Sequence, residues 1–444
     1  MVKNWAEKLL SEFVKIQSVS TDRARFPEIL KGAEFLKTVL RSLGFKVFLC
    51  QKEKVPPLVI GEKILNSSHK TIGIYGHYDV QPEDPLKNWR FPPFKLTLSK
   101  GRFWGRGVAD NKGPIVQNLT AVKNLLQKGE LKSNIVFIFE GEEETGSAHF
   151  EDFLREQRGI LKKVDLFYLT DVGMHKEDTP QVIFGLRGLV YFELEVKIGD
   201  QDLHSGLWGG MVENPLLLLS RIFSKVKNEE GKITIPGFYK GFKKPSYRER
   251  GVLERALKKE EEELRESKAY VLSYEKEYPL SLSAKIRPSF DIHGIKGGYT
   301  GEGLKTVIPF KATAKFSFRL VENQSPKEIK KMVENFIREN LPKGIKYKLK
   351  TLCEDPPFYI DPQNKYLKKT VEILKEVFGG KVLLNRSGGS IASAQILQKN
   401  FKKPIILTGF VPPSSNIHSP NENFDLRLFF KGIEALERTY SKFY

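Results

Sequence analysis

Three short apolar runs in this chain stop abruptly at acids or histidines. Thr71–Tyr75 leads into Gly76-His77-Tyr78-Asp79, Ile135–Phe139 into Glu140-Gly141-Glu142-Glu143-Glu144, and Leu166–Thr170 into Asp171. Runs this short, rich in β-branched and aromatic residues and bounded by turn signals, read as buried strands rather than helices. Lys46–Cys50 is a further strand candidate. Between these runs, Lys31–Leu43 and Gly113–Lys128 carry helical periodicity, with a short helix expected near Ser147. Alternating strand and helix patterns predict an α/β fold, a parallel or mixed sheet with helices on its faces. In such sheets the chemistry gathers where strands end, so each cluster is expected at a strand end.

Near Gly185 the pattern changes. Leu189–Ile198 and Phe310–Leu320 alternate apolar and polar residues over about ten positions each, the signature of long half-exposed strands. Helices are expected over Pro215–Val226 and over Ser325–Glu339, where Ser-Pro-Lys-Glu supplies a cap and a first-turn proline. The charged stretch Arg248–Ser267 reads as a solvated helix. From about Glu354 the first pattern returns, with helices over Asn364–Phe378 and Phe424–Tyr440 and a strand near Pro404–Thr408. The expectation is a discontinuous catalytic domain, 1–185 plus 355–444, interrupted by a smaller α+β domain, 186–354. With 444 residues, two domains are the natural division.

Composition excludes several classes. No apolar run approaches a membrane span, and Glu7 interrupts the apolar character of the opening segment, so no signal peptide is expected. Cys50 and Cys353 form neither a metal-spaced pair nor a disulfide framework, which fits a reducing cytoplasm. The formal charge of +19 comes from lysines spread along the whole chain. No basic block, finger or RNA-binding signature accompanies it, so no nucleic-acid partner is expected.

The clusters carry metal chemistry. Carboxylates and imidazoles hold borderline cations such as zinc. His77 and Asp79, two apart at a strand end, share a face. Asp110 follows a glycine-rich turn and precedes a helix, and two carboxylate oxygens can bridge two cations. Four glutamates within residues 140–144 repel one another unless cations compensate. His204, in Asp-Leu-His-Ser-Gly, and His418, in Ser-Asn-Ile-His-Ser, complete the set. His69, His149, His175 and His293 lie in polar or loop-like settings and read as incidental. Each cluster alone has a plainer explanation as a surface turn, a helix cap or a solvated acidic loop.

Together the motifs resemble the M20 metallopeptidases, in the branch of carnosinase and the cytosolic non-specific dipeptidases. The likeness runs through Gly-His-Tyr-Asp-Val-Gln-Pro (76–82), Trp-Gly-Arg-Gly-Val-Ala-Asp-Asn-Lys-Gly (104–113), Glu-Glu-Thr-Gly-Ser (143–147), Gly-Leu-Arg-Gly (185–188) and Asp-Leu-His-Ser-Gly (202–206). It continues through Lys-Thr-Val-Ile-Pro (305–309), Phe-Ser-Phe-Arg-Leu-Val (316–321), Gly-Gly-Ser-Ile (388–391) and His-Ser-Pro-Asn-Glu (418–422). The resemblance implies a zinc-peptidase-like catalytic domain with an inserted lid and dimerisation domain. It implies two divalent ions per subunit, zinc first, with manganese or cobalt as alternatives. His77 and Asp171 match the ligands of one ion, Glu144 and His418 those of the other, and Asp110 the bridge. Glu143 matches the general base and Asp79 the residue that supports the metal-bound histidine. A cis peptide after Asp110 is also implied.

His204 matches an oxyanion-stabilising histidine that reaches a partner subunit's site, which implies a homodimer. Arg319, Thr306 and Ser390, with Gly389 contributing backbone, match a grip on the substrate's free carboxylate. The implied reaction is hydrolysis of a dipeptide or short peptide by a metal-activated water. Deacylation of an N-acyl or N-succinyl amino acid is the alternative. Two departures touch specificity rather than the ligands: Ile391-Ala392 stands where the family has Ile-Pro, and Ile417 where it has a small residue.

Overall fold

A computed structural model describes residues 2–267 and 271–442. The chain divides into two compact units. The first comprises residues 1–184, 360–385 and 392–444, and the second residues 185–359 and 386–391.

The first unit is built on a mixed sheet. Its strands lie in the order Lys46–Lys52, Val55–Lys63, Asn134–Glu140, Thr71–His77, Leu166–Leu169, Ile405–Thr408 and Gln181–Leu186. The central pairings are parallel: Thr71–His77 pairs with Asn134–Glu140 on one side and Leu166–Leu169 on the other, and Leu166–Leu169 pairs with Ile405–Thr408. The flanking pairings are antiparallel. Every residue of Thr71–His77 and Asn134–Glu140 is buried, as uninterrupted apolar runs require of strands covered on both faces. Helix Lys112–Lys128 packs between helices Val2–Lys15 and Leu426–Lys442. It is anchored by Gln117 Nε2 donating to Phe429 O (2.7 Å) and Asn118 Nδ2 donating to Thr170 Oγ1 (2.8 Å).

The second unit holds a four-stranded antiparallel sheet in the order Ser289–Gly297, Lys311–Leu320, Gly188–Lys197, Lys346–Asp355. Residues of Gly188–Lys197 alternate buried and half-buried without a break. One face of the sheet, with Phe192, Leu194, Phe316 and Phe318, packs on Ile222, Phe223, Ile329 and Val333 of helices Pro215–Ser224 and Pro326–Asn340.

Three local expectations are corrected. The helix expected near Ser147 is a 3-10 turn, Glu143–Thr145, followed by the helix Phe150–Glu156; Gly146, at φ 95°, separates them. Helix Tyr247–Glu266 is not wholly solvated, because Leu253 is buried and Glu249 pairs with the buried Arg386 guanidinium. Asp110 and His418 do not follow sheet strands: Asp110 ends a loop that opens helix Lys112–Lys128, and His418 lies in an irregular turn at φ 60°.

Candidate metal centre

His77 closes its strand directly opposite Glu140. The strand sits hard against helix Lys112–Lys128 because residue 76 is glycine: a Cβ there would meet Ile115 Cγ1 at 2.6 Å and Asn111 Oδ1 at 3.0 Å. His77 Nδ1 lies 3.1 Å from the Asp79 carbonyl oxygen and 3.4 Å from Asp79 Oδ1. An acceptor on Nδ1 places the proton there and leaves Nε2 as the free electron pair. Asp79, fully buried, also accepts from Glu143 N (3.2 Å) and Glu144 N (3.1 Å), so it steadies both the imidazole and the acidic turn.

His77 Nε2 is 2.9 Å from Asp110 Oδ1 and 3.4 Å from Asp171 Oδ1. The other oxygen of Asp110, Oδ2, is 2.9 Å from His418 Nε2, which lies 3.3 Å from Glu144 Oε2. One carboxylate thus stands between two imidazoles, each with a further acid beside it. The Asp110–Asn111 peptide is cis. Asn111 Nδ2 donates to Asp171 Oδ1 (2.6 Å), and Gln81 Nε2 to Glu144 Oε2 (2.7 Å).

Segments distant in sequence meet here through Glu422. Its buried carboxylate accepts from Gly107 N (3.0 Å), Ala109 N (2.8 Å), Asp110 N (3.1 Å) and Arg106 Nη1 (2.8 Å). A small sheet pairing Arg102–Trp104 with Asn423–Asp425 brings the His418 turn alongside. Sequence reasoning gave no role to Glu422, Gln81 or Arg106. All three lie inside quoted motifs, which was the available signal.

The acidic turn is partitioned. Glu140 is pushed well above the usual carboxylate range by burial, and Tyr75 hydroxyl bonds its Oε1. Glu142 is engaged by the His149 ring, Nδ1 to Oε2 at 3.0 Å. That leaves Glu143 and Glu144. Burial pushes Glu143 up to about 8, helped by the charges of Asp171, Glu144 and Asp110 and opposed by His77. Burial likewise raises Asp171. Burial would also raise Asp110, but hydrogen bonds from His418 and His77 hold it below the usual range. Hydrogen bonds to Asp110 and Glu144 push His418 up to about 10. His77 is raised too: burial opposes this, but the charge of Asp171 and the bonds to Asp110, Asp171 and Asp79 prevail.

The residues fit a divalent cation. Donor atoms of His77, Asp110 and Glu144 all lie within 4.8 Å of one another, and Glu144 Oε1 is buried without a hydrogen-bond partner. A nitrogen–oxygen donor set suits zinc, manganese or cobalt.

The remaining predicted residues belong to the second unit. His204 pairs with Val307 across a short antiparallel ladder, and Ser205 N donates to Thr306 O (3.1 Å), which sets His204 beside Thr306. Gly206 N donates to His204 Nδ1 (3.0 Å); the neutral ring therefore carries its proton on Nε2. Arg319 Nη1 donates to Ser390 Oγ (3.3 Å), and Gly389 N to Ser387 Oγ (3.2 Å).

A profile of peptidase family M20/M25/M40 matches residues 73–442. A Cys-Gly metallodipeptidase of Schizosaccharomyces pombe is 31% identical over 441 residues, spanning 96% of this chain and 92% of that protein. A beta-Ala-His dipeptidase of Mus musculus is 30% identical over 388 residues, spanning 86% of this chain and 79% of that protein. The crystal structure of an M20 family metallo-carboxypeptidase from Sulfolobus solfataricus is similar with a TM-score of 0.86 and 30% identity, covering 98% of both chains. A histidine–carboxylate cluster at the end of a mixed sheet's parallel strands, matched along nearly the whole chain by such relatives, identifies this protein as a member of peptidase family M20/M25/M40.

Proposed function

We propose that this protein hydrolyses dipeptides or short peptides with a free C-terminal carboxylate, using two divalent cations. The observation that carries the reading is Asp110, whose two oxygens each lie 2.9 Å from a different imidazole. This supports a bridging role for Asp110, with His77 and Asp171 completing one cation's shell and Glu144 and His418 the other's. The relatives' names, metallodipeptidase and beta-Ala-His dipeptidase, support peptides over acylated amino acids.

The bound cations supply Lewis acidity and lower the pKa of water. Glu143 is the base that takes a proton from the attacking water and hands it to the leaving amine. Its backbone is fixed by Asp79 (3.2 Å), and its burial keeps its proton affinity high enough for that task. Positive charge arriving beside it opposes the upward shift. His204, with its proton on Nε2, is suited to stabilise the oxyanion. Arg319 offers a planar fork for the substrate carboxylate, with Ser390, Gly389 and Thr306 as its neighbours in the clamp.

Homodimerisation is supported by the second unit's exposed apolar residues, Leu207, Met211, Leu217, Ile292 and Ile295, the last two on the edge strand Ser289–Gly297. A reducing, cytoplasmic setting is supported by Cys50 and Cys353, both free. Among the described residues no helix is long and apolar enough to cross a membrane.

The test is an assay of unblocked dipeptides against N-acetyl and N-succinyl amino acids, with zinc, manganese or cobalt supplied. Dipeptides are expected to be the better substrates. Cleavage of only the acylated compounds sinks the reading.

A further inference from the structure

Three cationic side chains of the second unit meet the segment 386–391, which itself opens with Arg386. Arg319 bonds Ser390 from the strand Lys311–Leu320. Arg187 Nε donates to Gly388 O (2.9 Å), and its Nη1 reaches Ser289 Oγ (3.3 Å) and Arg287 O (3.4 Å). Lys285, itself buried, donates Nζ to Arg386 O (2.8 Å). Arg386 lies buried between Glu322 (2.7 Å) and Glu249. Arg386 has its counter-charges in those two acids. Arg187 bonds carbonyls and a hydroxyl, and its charge is opposed by Arg319 and offset by Asp291.

The Cα of Gly388 is confined as well. A Cβ on Gly388 would stand 2.6 Å from Ala284 O, on helix Leu280–Ile286, and 3.3 Å from Arg187 Nη2. Gly388 is therefore packed against both that helix and Arg187. A side chain there would strike backbone and push the segment away from them.

We propose that Arg187 is a positioning residue for substrate-carboxylate recognition: by holding Gly388 it sets Gly389 and Ser390 against Arg319. This rests on the reading of Arg319 and Ser390 as the grip on the peptide's free carboxylate. Arg187 acts through the segment and does not touch the substrate.

Alanyl-alanine and its C-terminal amide, assayed on the metal-loaded enzyme, test this. In Arg187→Met, KM for the free acid is expected to rise about tenfold or more, the loss typical of charged hydrogen bonds. Its kcat should stay within about threefold, the mark of lost ground-state binding. The amide, with no carboxylate to grip, should show unchanged kcat/KM. Gly388→Ala, whose methyl group would push the segment off Ala284 O and Arg187, should reproduce the acid-specific rise and carries the test should Arg187→Met prove insoluble. A preference for the acid that is lost in Arg319→Met but retained in both Arg187→Met and Gly388→Ala overturns the proposal alone. A fall in kcat with KM unmoved, or equal losses on acid and amide, also overturns it. A wild type that treats acid and amide alike overturns the clamp reading, and the proposal with it.

Discussion

The two units bury charge of opposite sign. At the sheet end of the first, Asp79, Asp110, Glu140, Glu143, Glu144 and Asp171 crowd together, and burial drives Glu140, Glu143 and Asp171 toward the neutral form. Around residues 386–391 of the second, burial and the neighbouring Arg319 pull Arg187 down to about 10. The same desolvation acts on both, with opposite effect on acid and base. The difference lies in compensation. Among the described residues the six acids are offset by two imidazoles and, near Asp79, by the buried Lys112, so the cluster is suited to an external cation. The basic cluster carries Glu249, Glu322 and Glu275 inside its own fold, and Asp291 offsets Arg187, so much of its charge is structural.

That contrast can be broken at its strongest point first. Glu143→Gln is expected to keep bound metal while losing about 10²–10⁴ in kcat, the usual worth of a general base. Metal analysis beside steady-state rates checks it, and near-normal turnover refutes the role. In the second unit, Arg386→Met strands Glu249 and Glu322 without their cation and should cost about 3–5 kcal/mol of stability, measured by denaturant unfolding. A loss under about 1 kcal/mol, the surface-pair level, shows that the basic cluster is not internally compensated.

Glu422→Gln leaves all metal-site candidates intact but weakens the cradle of Asp110. Metal affinity should fall about 10–100-fold, as for other supports behind a ligand, read by competition with a chelator.

The smallest effect is on pH. Metal binding requires neutral imidazoles, so affinity should fall by at most about tenfold per pH unit for each proton displaced as pH drops. The metal-free protein should respond with the opposite sign. His418 is raised from 6.5 to about 10, so its contribution to stability is complete below about 6.5 and is lost as pH climbs through about 10. Thermal melts with and without chelator should therefore diverge as pH changes; parallel curves would contradict the paired-charge picture.

The sequence spoke most clearly where strands are buried on both faces. Asn134–Glu140 and Leu166–Leu169 were legible because nothing polar interrupts them. Val55–Lys63 was not, since Pro56 and Pro57 disguise it, although it too is largely buried. Lys346–Asp355 and Ser289–Gly297 are edge strands with mostly exposed side chains, so their apolar alternation is faint. Helix Ala392–Phe401 hid behind the glycines at 388 and 389. In the site, His77 and the acidic turn announced themselves at strand ends. His418 and Asp110 did not, because a turn at φ 60° and a helix-opening loop have no periodicity to read. Glu422 was the hardest to foresee. Its task is to receive backbone amides, and no side-chain pattern records that.

The reach of Glu422 has a consequence for the chain's history in the cell. A growing polypeptide that has emerged only as far as the parallel strands already exposes most of the acidic cluster. It still lacks His418, the second imidazole beside Asp110, and the carboxylate that holds Gly107, Ala109 and Asp110 in place. A ribosome-bound chain that stops short of residues 418–422 therefore presents a poor cation trap, and hydrolytic competence waits until those residues have been made.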